Sequence, residues 1–180
     1  IIILSTQNNF AQTNNFEIFY TGFNGPVTAF SENNTGNIWA AVWSDWGNDT
    51  TSQVVLIDNQ VLDTVNIHTQ FPIWDVEVDQ NNDVWIAIQD NGLAKYNGNE
   101  LAYIDVSEII TLRDRNNVNC IEFDNGNNMW IGAQNGIAKF DGSNWTVYDE
   151  INSPLQVIPD ISSMSFDNNN NLWFGHFYGL

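Results

Sequence analysis

The sequence predicts an all-β chain: a β-propeller of about four blades or part-blades, each a four-stranded antiparallel sheet, forming a fragment of a larger ring. Three observations predict it. Trp39, Trp85, Trp130 and Trp173 recur at intervals of 46, 45 and 43 residues, and a period in the forties with four strands per unit marks propeller blades. Asp79, Asp124 and Asp167 each precede the last three of these tryptophans by six residues. The stretch from Asn117 to Tyr148 divides into four short apolar runs joined by turn residues, among them Asp141-Gly142, a strong hairpin signal.

Taken in order, residues 1–11 open on Ile1-Ile2-Ile3-Leu4 and look like the remnant of a secretory signal, with an ordinary β-strand as the competing reading. Repeats then occupy 12–180. Asn15 to Tyr20 matches the last strand of a blade, and the blades follow at about 27–67, 73–104, 117–148 and 161–180. The first copy departs from the pattern: Ser31 to Gly36 reads as a turn about two residues longer, without the aspartate. It also carries an insertion, Ser44 to Gln53. The fourth copy stops at Leu180, where the others continue into a third strand, so a larger ring or an assembly with another chain is expected.

Physical chemistry accounts for the residue types. A propeller sheet is covered on both faces, so middle strands such as Val84-Trp85-Ile86 and Met129-Trp130-Ile131 are apolar throughout. Ala40, Ala87, Gly132 and Gly175 are small enough to admit the neighbouring blade. The aspartate at each strand end is placed to cap its turn by accepting backbone N–H bonds. One blade cannot bury both faces, so stability must come from stacking.

Composition excludes several functions. The formal charge of −18, from 4 Lys+Arg against 22 Asp+Glu, repels phosphate backbones and anionic membranes, so no nucleic-acid partner is expected. No run is long enough to cross a bilayer as a helix. Asparagine fills roughly one position in six, as many tight turns require. The lone Cys120 reads as a small buried hydrophobe.

Candidate ligand residues lie where the crossings between blades and the loops from second to third strand emerge. Trp43 and Trp46 offer flat apolar faces for the apolar side of a pyranose; folding back as a plug on the rim is the competing reading. Arg113 and Arg115 suit a carboxylate or sulfate clamp, against which stands local pairing with Asp105, Glu108 or Asp114. His68 and His176 complete the set; their spacing is unlike that of metal ligands. Lys95 and Lys139 hold equivalent places and read as repeat consensus. Asp79-x-Asn81-x-Asp83 begins like a calcium loop, yet Val84 stands where that loop needs glycine. No nucleophile elbow, phosphate loop or zinc motif occurs, so neither cofactor nor metal is expected.

The phrase running from Asp124 through Trp130-Ile131-Gly132, Asn135-Gly136-Ile137-Ala138-Lys139-Phe140-Asp141-Gly142 and Trp145 to Tyr148 resembles the two-component regulator propeller repeat. Asp79 to Tyr103 follows it nearly as well, Asp167 to Leu180 over its first half, and the first copy weakly. The resemblance implies a periplasmic or cell-surface location, in the setting where such propellers form the sensor portion of hybrid histidine kinases responding to glycan breakdown products. The expectation is a non-catalytic, saccharide-sensing propeller. Its alternatives are an adhesion module that binds another protein and, third, a polysaccharide lyase or glycosidase.

Overall fold

Short apolar runs alternating with Asn- and Asp-rich turns give sixteen strands and no helix among the described residues. The computed structural model describes residues 2–5, 17–20, 26–43, 52–58, 61–67, 69, 71–107, 109, 117–134, 136–149, 152–153 and 160–176. Strands β1 (Ile2–Ser5) and β2 (Glu17–Tyr20) pair in parallel, Ile2 opposite Glu17, and form a sheet of two. Asn15 and Phe16 lie outside the described residues, and Glu17–Tyr20 pairs in parallel with β1, where the last strand of a meander blade pairs antiparallel.

Three antiparallel meanders follow. The first sheet is β3 (Val27–Glu32), β4 (Ile38–Val42), β5 (Gln53–Asp58) and β6 (Val61–Asn66). The second is β7 (Ile73–Val78), β8 (Val84–Ile88), β9 (Gly92–Tyr96) and β10 (Leu101–Ile104). The third is β11 (Val118–Phe123), β12 (Met129–Ala133), β13 (Gly136–Phe140) and β14 (Trp145–Tyr148). A fourth sheet shows its first two strands, β15 (Ile161–Phe166) and β16 (Leu172–His176). The first strands of successive sheets lie side by side, β3 by β7, β7 by β11 and β11 by β15, as in propeller blades.

The aspartate of the second, third and fourth repeats holds its turn with both carboxylate oxygens. Asp79 Oδ1 accepts from the N–H groups of Asn81 and Asp83 at 2.8 and 3.0 Å, while Oδ2 accepts the indole N–H of Trp85 at 3.1 Å. Asp124 does the same with Gly126, Asn128 and Trp130, and Asp167 with Asn169, Asn171 and Trp173. The spacing of six therefore joins the cap to the indole and fixes the tryptophan's rotamer. Between them an asparagine adopts left-handed backbone, at φ of 63° in Asn82, 59° in Asn127 and 62° in Asn170, which its short polar side chain tolerates.

The first repeat corrects the sequence reading. Its turn has the same length as the others: Asn33 occupies the cap position six residues before Trp39, and its Oδ1 accepts from the N–H groups of Thr35 and Asn37 at 3.0 and 2.9 Å. Gly36, at φ 86°, takes the left-handed place. Asparagine offers the same side-chain carbonyl as aspartate, so a search for aspartate missed it. The register also shows that Ala41, not Ala40, matches Ala87, Gly132 and Gly175, since Ala29, Asp75, Cys120 and Ser163 stand opposite those four.

Close approach at that position is plain at Gly132. A Cβ there would lie 2.5 Å from Cys120 Sγ and 2.6 Å from Ile161 Cγ2 of the next sheet. Lys95 and Lys139 pair across strands with Trp85 and Trp130. Their ammonium groups sit 4.8 and 5.1 Å from those ring centroids and bond Asp83 and Asp124 at 2.6 and 3.4 Å. These lysines and aspartates build the repeat. With Asp79 holding N–H donors and Asp83 holding Lys95, the calcium-loop reading loses its ligands.

Candidate functional site

Every first strand carries an irregularity at the same place, after Val27, Ile73, Val118 and Ile161. The residue set out of register is Thr28, Trp74, Asn119 or Ser162. A bulge bends its strand and re-aims a side chain, and bulges gather beside functional sites. All four lie toward the end where the crossings enter and the second strands finish. Three are small and polar. Asn119 Nδ2 donates to Ile161 O of the next sheet at 3.0 Å, Ser162 Oγ donates to Gly175 O at 3.2 Å, and Thr28 Oγ1 is buried without a hydrogen-bond partner.

Trp74 is the exception, with 40% of its surface exposed on the strand next to the axis. Sequence reasoning missed it, because it falls outside the tryptophan period. Aligning the four first strands would have revealed an indole where the other repeats place Thr, Asn and Ser.

Of the residues predicted from sequence, Trp43 and His176 are described. Trp43 directly follows β4, is half-buried, and donates its backbone N–H to Pro26 O at 3.1 Å. Gln89 does the same to Pro72 O at 2.9 Å, so this tether belongs to the fold. His176 ends β16 opposite Ile161. Trp43, Trp74 and His176 thus occupy one end of the first, second and fourth sheets. Trp46, His68, Arg113 and Arg115 lie outside the described residues.

Carboxyl groups cluster on the first strands. Burial pushes Glu77 up to about 8, against the hydrogen bond from Ser31 Oγ at 2.8 Å, with Asp75 and Glu122 adding repulsion. Burial likewise raises Asp75 to about 6, although the Ile121 and Val76 N–H groups oppose it. Glu122 is raised by burial, with Asp75 adding to it. Two carboxyls with separated ionisation are the ingredients of acid–base chemistry, but here each is committed to joining sheets: Glu77 to Ser31 of the first, Asp75 to Ile121 of the third. Cys120 is buried, and burial pushes its thiol up to about 12, as befits an inert hydrophobe. Among the described residues, no group of His, Cys, Asp and Glu is arranged to hold a metal, and no helix is long and apolar enough to cross a membrane.

No protein-family model and no curated protein matches this sequence. Several solved structures share the fold. A bacterial surface component of the type-IX secretion system of Porphyromonas gingivalis, PorZ, superposes with a TM-score of 0.62 at 18% identity over 86% of this chain and 25% of its own. The extracellular domain of a protein described as a hybrid two-component system of B. thetaiotaomicron gives 0.61 at 15%, over 82% of this chain and 20% of that one. A luciferin-regenerating enzyme gives 0.61 at 10%, over 82% and 52%. The chain therefore spans between a fifth and about half the length of these structures. They establish a propeller-like fold, shared by proteins of sensing, secretion and catalysis.

Proposed function

We propose that this chain is a non-catalytic ligand-binding arc of an extracytoplasmic propeller that takes saccharides at its crossing end, within a two-component sensing system. The observation that carries this reading is the exposed indole of Trp74 on an axial bulge, with Trp43 at the same end of the neighbouring sheet. Flat aromatic faces bind the apolar side of a sugar ring and leave its hydroxyls to polar groups beside them. The extracellular two-component domain of the same fold supports the location and the sensing role.

The test is calorimetric titration with a panel of neutral and acidic oligosaccharides. Binding weakened about tenfold in Trp74→Ala, equal to about 1.4 kcal/mol, supports the platform. No binding at millimolar concentration, or affinity unchanged in Trp74→Ala, overturns it. A second reading, docking of another protein as part of a surface assembly, is favoured by the likeness to PorZ. It gains if the panel fails while a labelled cell-envelope protein is retained. Turnover of a labelled oligosaccharide would replace both with catalysis.

A further inference from the structure

The sequence holds five Asn-Gly pairs, beginning at Asn24, Asn91, Asn97, Asn125 and Asn135. An asparagine side chain followed by glycine can be attacked by the next backbone nitrogen, because glycine has no Cβ to hinder the approach. Asn24 and Asn135 lie outside the described residues. The other three pairs share one chemistry and differ in their surroundings, so the fold decides which of them reacts.

At Asn97 the surroundings assist. Asn97, Gly98, Asn99 and Glu100 form the exposed hairpin turn between β9 and β10. Asn97 Oδ1 accepts the backbone N–H groups of Asn99 and Glu100 at 3.0 and 2.8 Å. That oxygen takes up negative charge when a nucleophile adds to Cγ, and two N–H donors already in place are what an oxyanion hole supplies. Tyr96 donates its hydroxyl to Gly98 O at 2.8 Å, which polarises the peptide carrying the Asn99 N–H. Space around Gly98 is open, since a Cβ there would meet nothing within 4 Å. At Asn125 the attacking nitrogen is tied down instead. Gly126 donates its N–H to Asp124 Oδ1 at 2.9 Å, and losing that proton beside a carboxylate is opposed by like charge. At Asn91 the glycine is buried at the start of β9, opposite Ile88, away from the water that completes the reaction.

The product also has a place prepared for it. In the third repeat the same turn reads Asp141-Gly142-Ser143-Asn144, and Asp141 Oδ1 accepts the Ser143 and Asn144 N–H groups at 2.9 and 2.7 Å. Both turns close with the first residue's N–H on the fourth residue's carbonyl, at 3.2 and 3.1 Å, and their glycines have φ of 92° and 93°. The Asn144 and Ser143 N–H groups hold the Asp141 carboxyl below its usual range. An aspartate at 97 would receive the same two bonds, strengthened by its charge.

We propose that Asn97 is a self-modifying site, which converts without an enzyme to the aspartate found at its counterpart, Asp141. Gly98 N loses its proton to solvent base and attacks Asn97 Cγ, forming a C–N bond; the Cγ–Nδ2 bond breaks and ammonia leaves. Water then opens the succinimide at the side-chain carbonyl, breaking the new bond and returning a proton to Gly98 N. The sum is amide plus water giving carboxylate plus ammonium, with no oxidation or reduction. Opening at the main-chain carbonyl would lengthen the chain inside a turn whose ends are joined by the Asn97 N–H to Glu100 O bond, so the fold favours aspartate over isoaspartate.

The test ages the full chain at mildly alkaline pH, folded and in urea, and maps its peptides by mass, with aspartate and isoaspartate resolved by chromatography. In the folded chain Asn97 should convert about tenfold faster than Asn91 or Asn125, the worth of one hydrogen bond to developing charge. In urea that lead should vanish, because the pairs then share the same surroundings. Asn97→Asp should fold and should unfold at the parent's denaturant concentration or above it. The proposal is overturned if Asn91 or Asn125 converts first in the folded chain, or if the lead of Asn97 persists in urea. It is equally overturned if isoaspartate is the main product of the folded chain, or if Asn97→Asp is less stable than the parent.

Discussion

The two ends of the sheets follow opposite rules. At the turn end, all four repeats place a cap, a left-handed residue and a tryptophan at fixed offsets, and the three junctions repeat one asparagine hydrogen bond. At the crossing end, the bulge recurs but its occupant changes from Thr28 to Trp74 to Asn119 to Ser162. Repetition marks what every junction needs in order to form. Variation marks positions released from that need, and these are where a propeller can acquire specificity.

The comparison breaks hardest at Asp124. Its carboxylate is buried and accepts from the Gly126 and Asn128 backbone N–H groups, the Asn128 side-chain amide and the Trp130 indole, besides contacting Lys139. Burial alone would raise its pKa, yet Asn128 and Trp130, together with the backbone N–H groups, bring it down to about 2. Asp124→Ala strands those donors and should cost about 4 kcal/mol in denaturant unfolding; a loss under about 1 kcal/mol would show the cap to be dispensable.

Glu77 predicts a pH dependence. Its carboxyl is raised from 4.5 to about 8, so between those values the native state keeps a proton that the unfolded chain has released. Stability is then greatest below about pH 4.5 for this group and is lost progressively as pH rises from there through 8. Asp75, raised to about 6, acts in the same direction. Glu77→Gln, which cannot ionise, should flatten most of the slope between about pH 5 and 8. An unchanged slope in that variant would place the effect elsewhere.

Gly132→Ala tests the close approach of the third and fourth sheets. The added Cβ meets Cys120 Sγ and Ile161 Cγ2 inside van der Waals range, so a loss of about 2 kcal/mol is expected, measured by thermal unfolding. The smallest effect belongs to the crossing end. Trp74→Ala should change stability by about 0.5 kcal/mol or less, because its indole is exposed. A large loss there would make Trp74 part of the scaffold and remove the contrast.

Much of the candidate site was hidden from the sequence for a physical reason. Trp43 and His176 could be placed near the crossing end because loop order follows strand order. Trp74 could not be seen as exposed, because an alternating strand pattern says nothing about a bulge that re-aims one residue. Nor did the acidic composition reveal that Asp75, Glu77 and Glu122 are drawn together and partly buried. That requires first strands some 46 residues apart to lie side by side, as the Ile121 N–H bond to Asp75 shows.

By itself the sequence determined the repeat, its strands and most of its turns. The turns rest on hydrogen bonds spanning six residues or fewer, such as Asp124 with Gly126, Asn128 and Trp130, and local bonds leave local signatures. Only the tertiary structure decided that left-handed asparagines tie one sheet to the next, and that Trp173 is exposed where Trp39 and Trp85 are buried. Exposure and sheet-to-sheet bonding belong to whichever sheet lies alongside, and a residue's own neighbours in sequence do not carry that information.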